Sequence, residues 1–204
     1  MLSSDYLEIR SVSQQIWRYP IEKTQFSVAG EWDDGCALEV RSLCYFRGEG
    51  PHELATPPEQ RGPLFQFTRP ITRDAIARQG VIQGLQLHDA RFEAIAVPFP
   101  AGVSFGSCHL GVRQMSYSLT WLRDLDFQCR VDGSLQQIHH DPLGLDGAAF
   151  KLEVQLPFDG VWIESADPAE KEELNRLYDS LFGSLGLTKQ FDEFLDAVVL
   201  RAHR

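Results

Sequence analysis

Long apolar runs are missing from this chain. No stretch approaches the roughly 18 consecutive apolar residues that a membrane-spanning helix needs, so no membrane span is expected. Lysine is scarce: of 19 basic residues only Lys23, Lys151, Lys171 and Lys189 are lysines, and 29 acidic residues leave a formal charge of −10. Net charge of that sign repels a phosphate backbone, so direct nucleic-acid binding is not expected. Cysteine is limited to Cys36, Cys44, Cys108 and Cys129, with neither a Cys-x-x-Cys pair nor zinc-ribbon spacing. Small core residues in a reducing compartment are the simplest reading of all four. His-Glu-x-x-His, the P-loop and Gly-x-Gly-x-x-Gly are also missing, which disfavours zinc peptidases, P-loop enzymes and dinucleotide enzymes. The run Met1–Glu8 has neither a basic segment nor an apolar one, so no secretory signal and a cytoplasmic location are expected. No metal and no cofactor are expected either.

What the chain does have is the composition of a soluble globular domain. Its 204 residues are 43% hydrophobic and 24% charged, with 13 Phe, 5 Tyr and 4 Trp. That length suits a single domain over residues 1–204 with its own core.

The hydrophobic period divides this domain into three parts. Residues 1–20 read as an N-terminal helix, with Ser3 or Ser4 as cap and Leu2, Tyr6, Ile9, Ile16 and Trp17 near one stripe. Residues 21–165 read as a β core. Gln25–Val28 and Leu38–Phe46 flank Asp33-Asp34-Gly35, a hairpin signal. Leu64–Thr68 is a short strand, and Thr72–Gly80 a helical turn. Val112–Trp121 places Met115, Tyr117, Leu119 and Trp121 on one face, the pattern of a half-buried strand. Leu125–Val131, turned by Asp132-Gly133, and Phe150–Leu156, stopped by Pro157, alternate in the same way. Residues 166–204 read as a helical hairpin. Asp167-Pro168-Ala169-Glu170 opens one arm, and Thr188 opens another carrying Phe191, Phe194, Leu195, Val198 and Val199 at helical spacing. The expected fold is α+β, mainly antiparallel β: a sandwich or small barrel of about eight or nine strands, with a helix before it and a helical hairpin after it.

Chemistry-bearing residues are sparse. His139-His140-Asp141 lies in a polar segment and is the main candidate for catalysis, although a turn built by Asp141-Pro142 and Asp146-Gly147 accounts for the same residues. Cys108-His109 and His88-Asp89 are weaker pairs. Residues 61–110 carry five basic and three acidic groups, and within them Arg69 and Arg73 could grip phosphate or a partner's carboxylates. Phe191 and Leu195 are candidate partner-binding residues on the last helical stripe. The leading expectation is a non-enzymatic accessory or structural subunit that binds another protein or a larger assembly. The alternatives are a lipocalin-like barrel holding a small apolar ligand, and an enzyme with a dispersed His/Asp site.

Overall fold

The computed structural model describes residues 5–31, 38–46, 63–71, 73–92, 101–105, 108–137, 144–164, 172, 176, 179–192 and 197–201. In chain order the strands are β1 (Tyr6–Arg10), β2 (Ile16–Glu31), β3 (Leu38–Phe46) and β4 (Pro63–Ile71), followed by helices α1 (Arg73–Gln79) and α2 (Val81–Leu85). Then come β5 (Leu87–Phe92), β6 (Ala101–Phe105), β7 (Cys108–Arg123), β8 (Asp126–Gln137) and β9 (Ala149–Glu164). A 3-10 turn (Gly183–Leu185), β10 (Thr188–Asp192) and β11 (Ala197–Arg201) complete the described chain.

The sheet closes on itself. Neighbours run β1-β2-β3-β4-β6-β7-β8-β9, and β9 returns to both β1 and β2, which makes an eight-stranded barrel. On one half of the wall β1 lies between β2 and β9, antiparallel to both. On the other half β2 and β9 pair directly and in parallel, from Phe26↔Phe158 to Glu31↔Glu164. Strand β5 pairs with β7 beyond the stretch of β7 that β6 occupies, so β5 and β6 lie along one edge of it.

Period-two patterning decides which side chains fill the lumen. Tyr19, Cys44, Phe65, Phe67, Tyr117, Phe127, Cys129, Leu152 and Phe158 are all fully buried. The alternate positions Ser116, Thr120, Arg130, Asp132, Lys151 and Gln155 are exposed. Rings meet across the lumen, with Tyr19 edge-on to Phe105 at 6.3 Å and Phe65 tilted against Phe150 at 5.9 Å. The far end is covered by α1 and α2, whose Ile76, Val81 and Leu85 join the core. We call this the cap end; the opposite end carries the turn between β1 and β2.

Three local devices shape the wall. In β7 the pairing with β8 steps from Val112↔Leu135 to Met115↔Gly133, a bulge in which Gln114 takes a φ of +53°. Gly133 faces it, and a Cβ there would lie 2.7 Å from Phe150 Cε1 and 3.0 Å from the Gln114 carbonyl oxygen. In β9 the partner changes: Pro157 lies opposite Asp126, where β8 begins, and β11 takes up the same edge from Gly160 to Ile163. A proline at this changeover has no N–H to leave unpaired. On the other edge, the step from Phe158 to Gly160 bulges out Asp159, whose Oδ2 accepts the Phe26 amide at 2.7 Å.

The expected β core is present, the expected N-terminal helix is replaced, and the expected C-terminal helical hairpin is not formed. Residues 6–10 and 16–20 form a strand pair in place of an N-terminal helix, from Tyr6↔Pro20 to Arg10↔Ile16. The alternation of Leu7 and Ile9, both fully buried, outweighs a loose helical stripe that spans a turn. That turn is held by Ser11, whose amide donates to the Gln15 carbonyl at 2.9 Å while its Oγ accepts the Gln15 amide at 3.0 Å. In the C-terminal part, helical backbone is described at 172, 176 and 179–182. The second arm of the expected helical hairpin is instead the strand pair β10–β11, with Phe191 opposite Val198. Val198 and Val199 are β-branched and complete an edge of β9, so tertiary pairing overrides the helical spacing. Two expected stops are also passed through. Asp132-Gly133 lies inside β8, and Pro157 lies inside β9.

Candidate functional site

The barrel interior is the one place where the described residues converge on a shared space. Ser42 stands in its wall with Phe26 opposite on β2 and Phe67 opposite on β4. All three are fully buried, or within 1% of it. On the Phe26 side, that ring is edge-on to Phe127 at 5.2 Å and to Phe158 at 5.5 Å. On the other side Phe67 stacks on Tyr117, with centroids 4.0 Å apart and planes 20° apart. The Ser42 hydroxyl therefore sits between two groups of rings. Its Oγ has no hydrogen-bond partner. Leaving such a group unsatisfied costs about 1–3 kcal/mol.

Two thiols line the same lumen. Cys44 follows Ser42 by two residues on the same face of β3, and Cys129 lies on β8; both are buried and free of disulfides. Burial pushes the Cys44 thiol well up, with smaller contributions from Cys129 and from Asp5. Burial pushes Cys129 up to about 12, and a hydrogen bond with Tyr117 pulls weakly the other way. Burial likewise raises the Tyr19 hydroxyl above its ordinary range. None of these groups ionises near neutral pH, so the thiols are poor nucleophiles and the lumen is electrically neutral. Such an environment favours apolar groups over charged ones.

The residues singled out by sequence fall elsewhere. His139, His140, Asp141 and Leu195 lie outside the described residues. Arg69 is in β4 opposite Val40, and Arg73 opens α1, both toward the cap end. Phe191 is in β10, separated from β4 by β3, β2, β9 and β11 in the sheet. Among the described residues no three His, Cys, Asp or Glu side chains are grouped to hold a metal, and no helix is long and apolar enough to cross a membrane.

One serine–histidine pair was not expected. Ser104 Oγ lies 2.7 Å from His109 Nδ1 across the β6–β7 pair. The run Gly102-Val103-Ser104-Phe105-Gly106 also carries the letters of a nucleophile elbow, a signal available in the sequence. The context differs from an elbow. Ser104 sits in the middle of an extended strand, paired with Leu64 on one side and His109 on the other. An elbow needs a sharp strand-to-helix turn that lifts the hydroxyl toward backbone N–H donors. A cross-strand hydrogen bond on the outer face is what this geometry supplies.

No family model, curated protein or solved structure matches the chain. The functional reading therefore rests on the barrel itself.

Proposed function

We propose that this protein binds a small, mostly apolar molecule inside its barrel. The observation that carries the proposal is the unpartnered Ser42 hydroxyl, fully buried in a closed lumen otherwise lined by rings, aliphatic chains and neutral thiols. Eight-stranded barrels are just wide enough to be filled by side chains or to hold one small ligand. A hydroxyl left without a partner in such a space favours the second use.

A second reading is an accessory subunit that works by protein contact. It is supported by the β7–β8 hairpin tip, where Trp121 and Leu122 are 44% and 47% exposed. Trp121 is held in place there, its amide donating to Gln86 Oε1 at 3.2 Å and its Nε1 to the Asp124 carbonyl at 3.0 Å. A rigid, exposed tryptophan suits an interface.

Native mass spectrometry of the protein isolated gently from its own cells tests both. An added mass of a few hundred daltons that is lost on denaturation is the expected result. Added mass equal to another protein chain would favour the second reading. A bare chain that also takes up no small aromatic compound would overturn the first.

A further inference from the structure

We infer that Ser42 anchors the ligand, and that the ligand is a small flat aromatic compound carrying one hydrogen-bonding group of the phenol or aromatic amine kind. This rests on the barrel-binding reading above and specifies the site within it. The argument starts from side-chain size. On three neighbouring strands the facing residues are Phe26, Ser42 and Phe67. Adjacent strands lie about 4.8 Å apart, so the two phenylalanines spring from positions about 9.6 Å apart. The serine between them is much smaller than either ring, and the proposed binding notch lies over it. A planar ring inserted edge-on between flanking rings needs about 3.5 Å of clearance on either face, from ordinary carbon–carbon contact distances. A separation of about 9.6 Å between the two positions exceeds twice that clearance. The floor of the notch carries the unpartnered Ser42 hydroxyl, and its walls are the Phe26 group and the Phe67–Tyr117 stack.

The chemistry of the surroundings narrows the class further. The titratable groups described in the lumen are thiols and phenols, Cys44, Cys129, Tyr19 and Tyr117, with no carboxylate or amine among them, so nothing described there pairs with a full charge on a ligand. Ser42 both donates and accepts, and so satisfies either a hydroxyl or an amine. A purely aliphatic or purely hydrocarbon ligand would leave the Ser42 hydroxyl as it is in the free protein. The recognised feature is therefore one polar group on an aromatic ring. The short helices α1 and α2 cover this half of the lumen with Ile76, Val81 and Leu85.

The test is a cycle of two proteins and two isosteric probes. The affinities of p-cresol and p-xylene are measured by titration calorimetry for the wild type and for Ser42→Ala. Comparing ratios cancels the difference in hydration between the probes. The cresol-to-xylene preference should fall about tenfold in the variant, the size of one hydrogen bond in a buried site. Ser42→Cys, which is slightly larger and weakens the hydrogen bond, should fall between. Thermal unfolding of the free proteins supplies an independent readout. Ser42→Ala should melt at the same temperature as wild type or higher, because it removes an unsatisfied group. If both probes bind and the ratio is unchanged, Ser42 is not the anchor, while the barrel-binding reading stands. If neither probe binds wild type, both readings fall. If Ser42→Ala melts lower, the hydroxyl already has a partner in the free protein and the inference is overturned.

Discussion

The two halves of the barrel are closed in different ways. Toward the β1–β2 turn, β1 is wedged between β2 and β9 with antiparallel pairing on both sides. Here the lumen is bridged by rings from facing walls, Tyr19 to Phe105 and Phe65 to Phe150. Toward the cap, β2 and β9 meet directly in parallel, a bulged Asp159 satisfies the Phe26 amide, and a small residue with an unsatisfied hydroxyl stands among the rings. The first half has the construction of a core. The second leaves the small, buried Ser42 hydroxyl without a partner. Natural structures keep such a defect where it has a use. The difference teaches that stability and binding can be read off one lumen as two populations of residues.

The sharpest way to break this comparison is to cut a ring from the first half. Phe65→Ala removes a fully buried side chain that touches Phe150 across the lumen, and should cost about 3–5 kcal/mol by denaturant unfolding. A loss under about 1 kcal/mol would show that the first half is not a packed core. A smaller effect is expected at the β7 bulge. Gly133→Ala places a methyl 2.7 Å from Phe150 Cε1 and 3.0 Å from the Gln114 carbonyl oxygen. The ring can shift but the backbone oxygen cannot easily follow, so the cost should be about 1–3 kcal/mol. Wild-type stability in Gly133→Ala would mean that the bulge adjusts freely.

Much of this architecture was legible in sequence. Strands whose apolar residues alternate with polar ones, such as 112–121 and 150–156, announce both their type and their inward face. The errors lie where a local signal competes with pairing. Pro157 reads as a stop, yet it marks the residue at which β9 exchanges β8 for β11. Asp132-Gly133 reads as a turn, yet Gly133 is demanded by a bulge on the facing strand. Val198 and Val199 sit at helical spacing, yet they complete a sheet edge. In each case the deciding contact comes from a residue 19 or more positions away, which no local window sees. Ser42 was invisible for a related reason: a serine in a strand is ordinary until its neighbours on both sides prove to be buried phenylalanines.

The thiols sharpen the comparison through pH. Burial raises Cys44, Cys129 and Tyr19 above their ordinary values. A group whose folded value is raised, and which is neutral when protonated, favours the folded state below its unfolded value. That contribution is lost as pH climbs toward the folded one. Stability should therefore hold through neutral pH and fall progressively above about pH 9. Cys44→Ser with Cys129→Ser should flatten that fall while lowering stability at neutral pH. In the native state neither thiol should react with iodoacetamide at pH 8 on the timescale that labels the unfolded chain. Rapid labelling at either position would mean that the lumen opens readily at that level.

The smallest expected effect concerns the strand that seals the first half. On the outer face of β1, Glu8 accepts a hydrogen bond from Arg18 Nε at 2.7 Å and a longer one, 3.4 Å, from Arg10. The Arg18 hydrogen bond is the main reason its carboxyl lies below the usual range. A carboxylate with a depressed value stabilises the fold above its unfolded value, and that contribution disappears as pH falls through the folded one. The arginines are largely exposed, so the whole effect of Glu8→Gln should be only about 0.5 kcal/mol at pH 7. The difference between wild type and variant should close as the solution is acidified below about pH 4, and shrink with added salt. Hydrogen exchange should locate the loss in β1 and the β2 residues paired to it, leaving the parallel β2–β9 segment unchanged. Loss of protection in both segments would show that the two closures are one cooperative unit, and that the halves of the barrel cannot be treated apart.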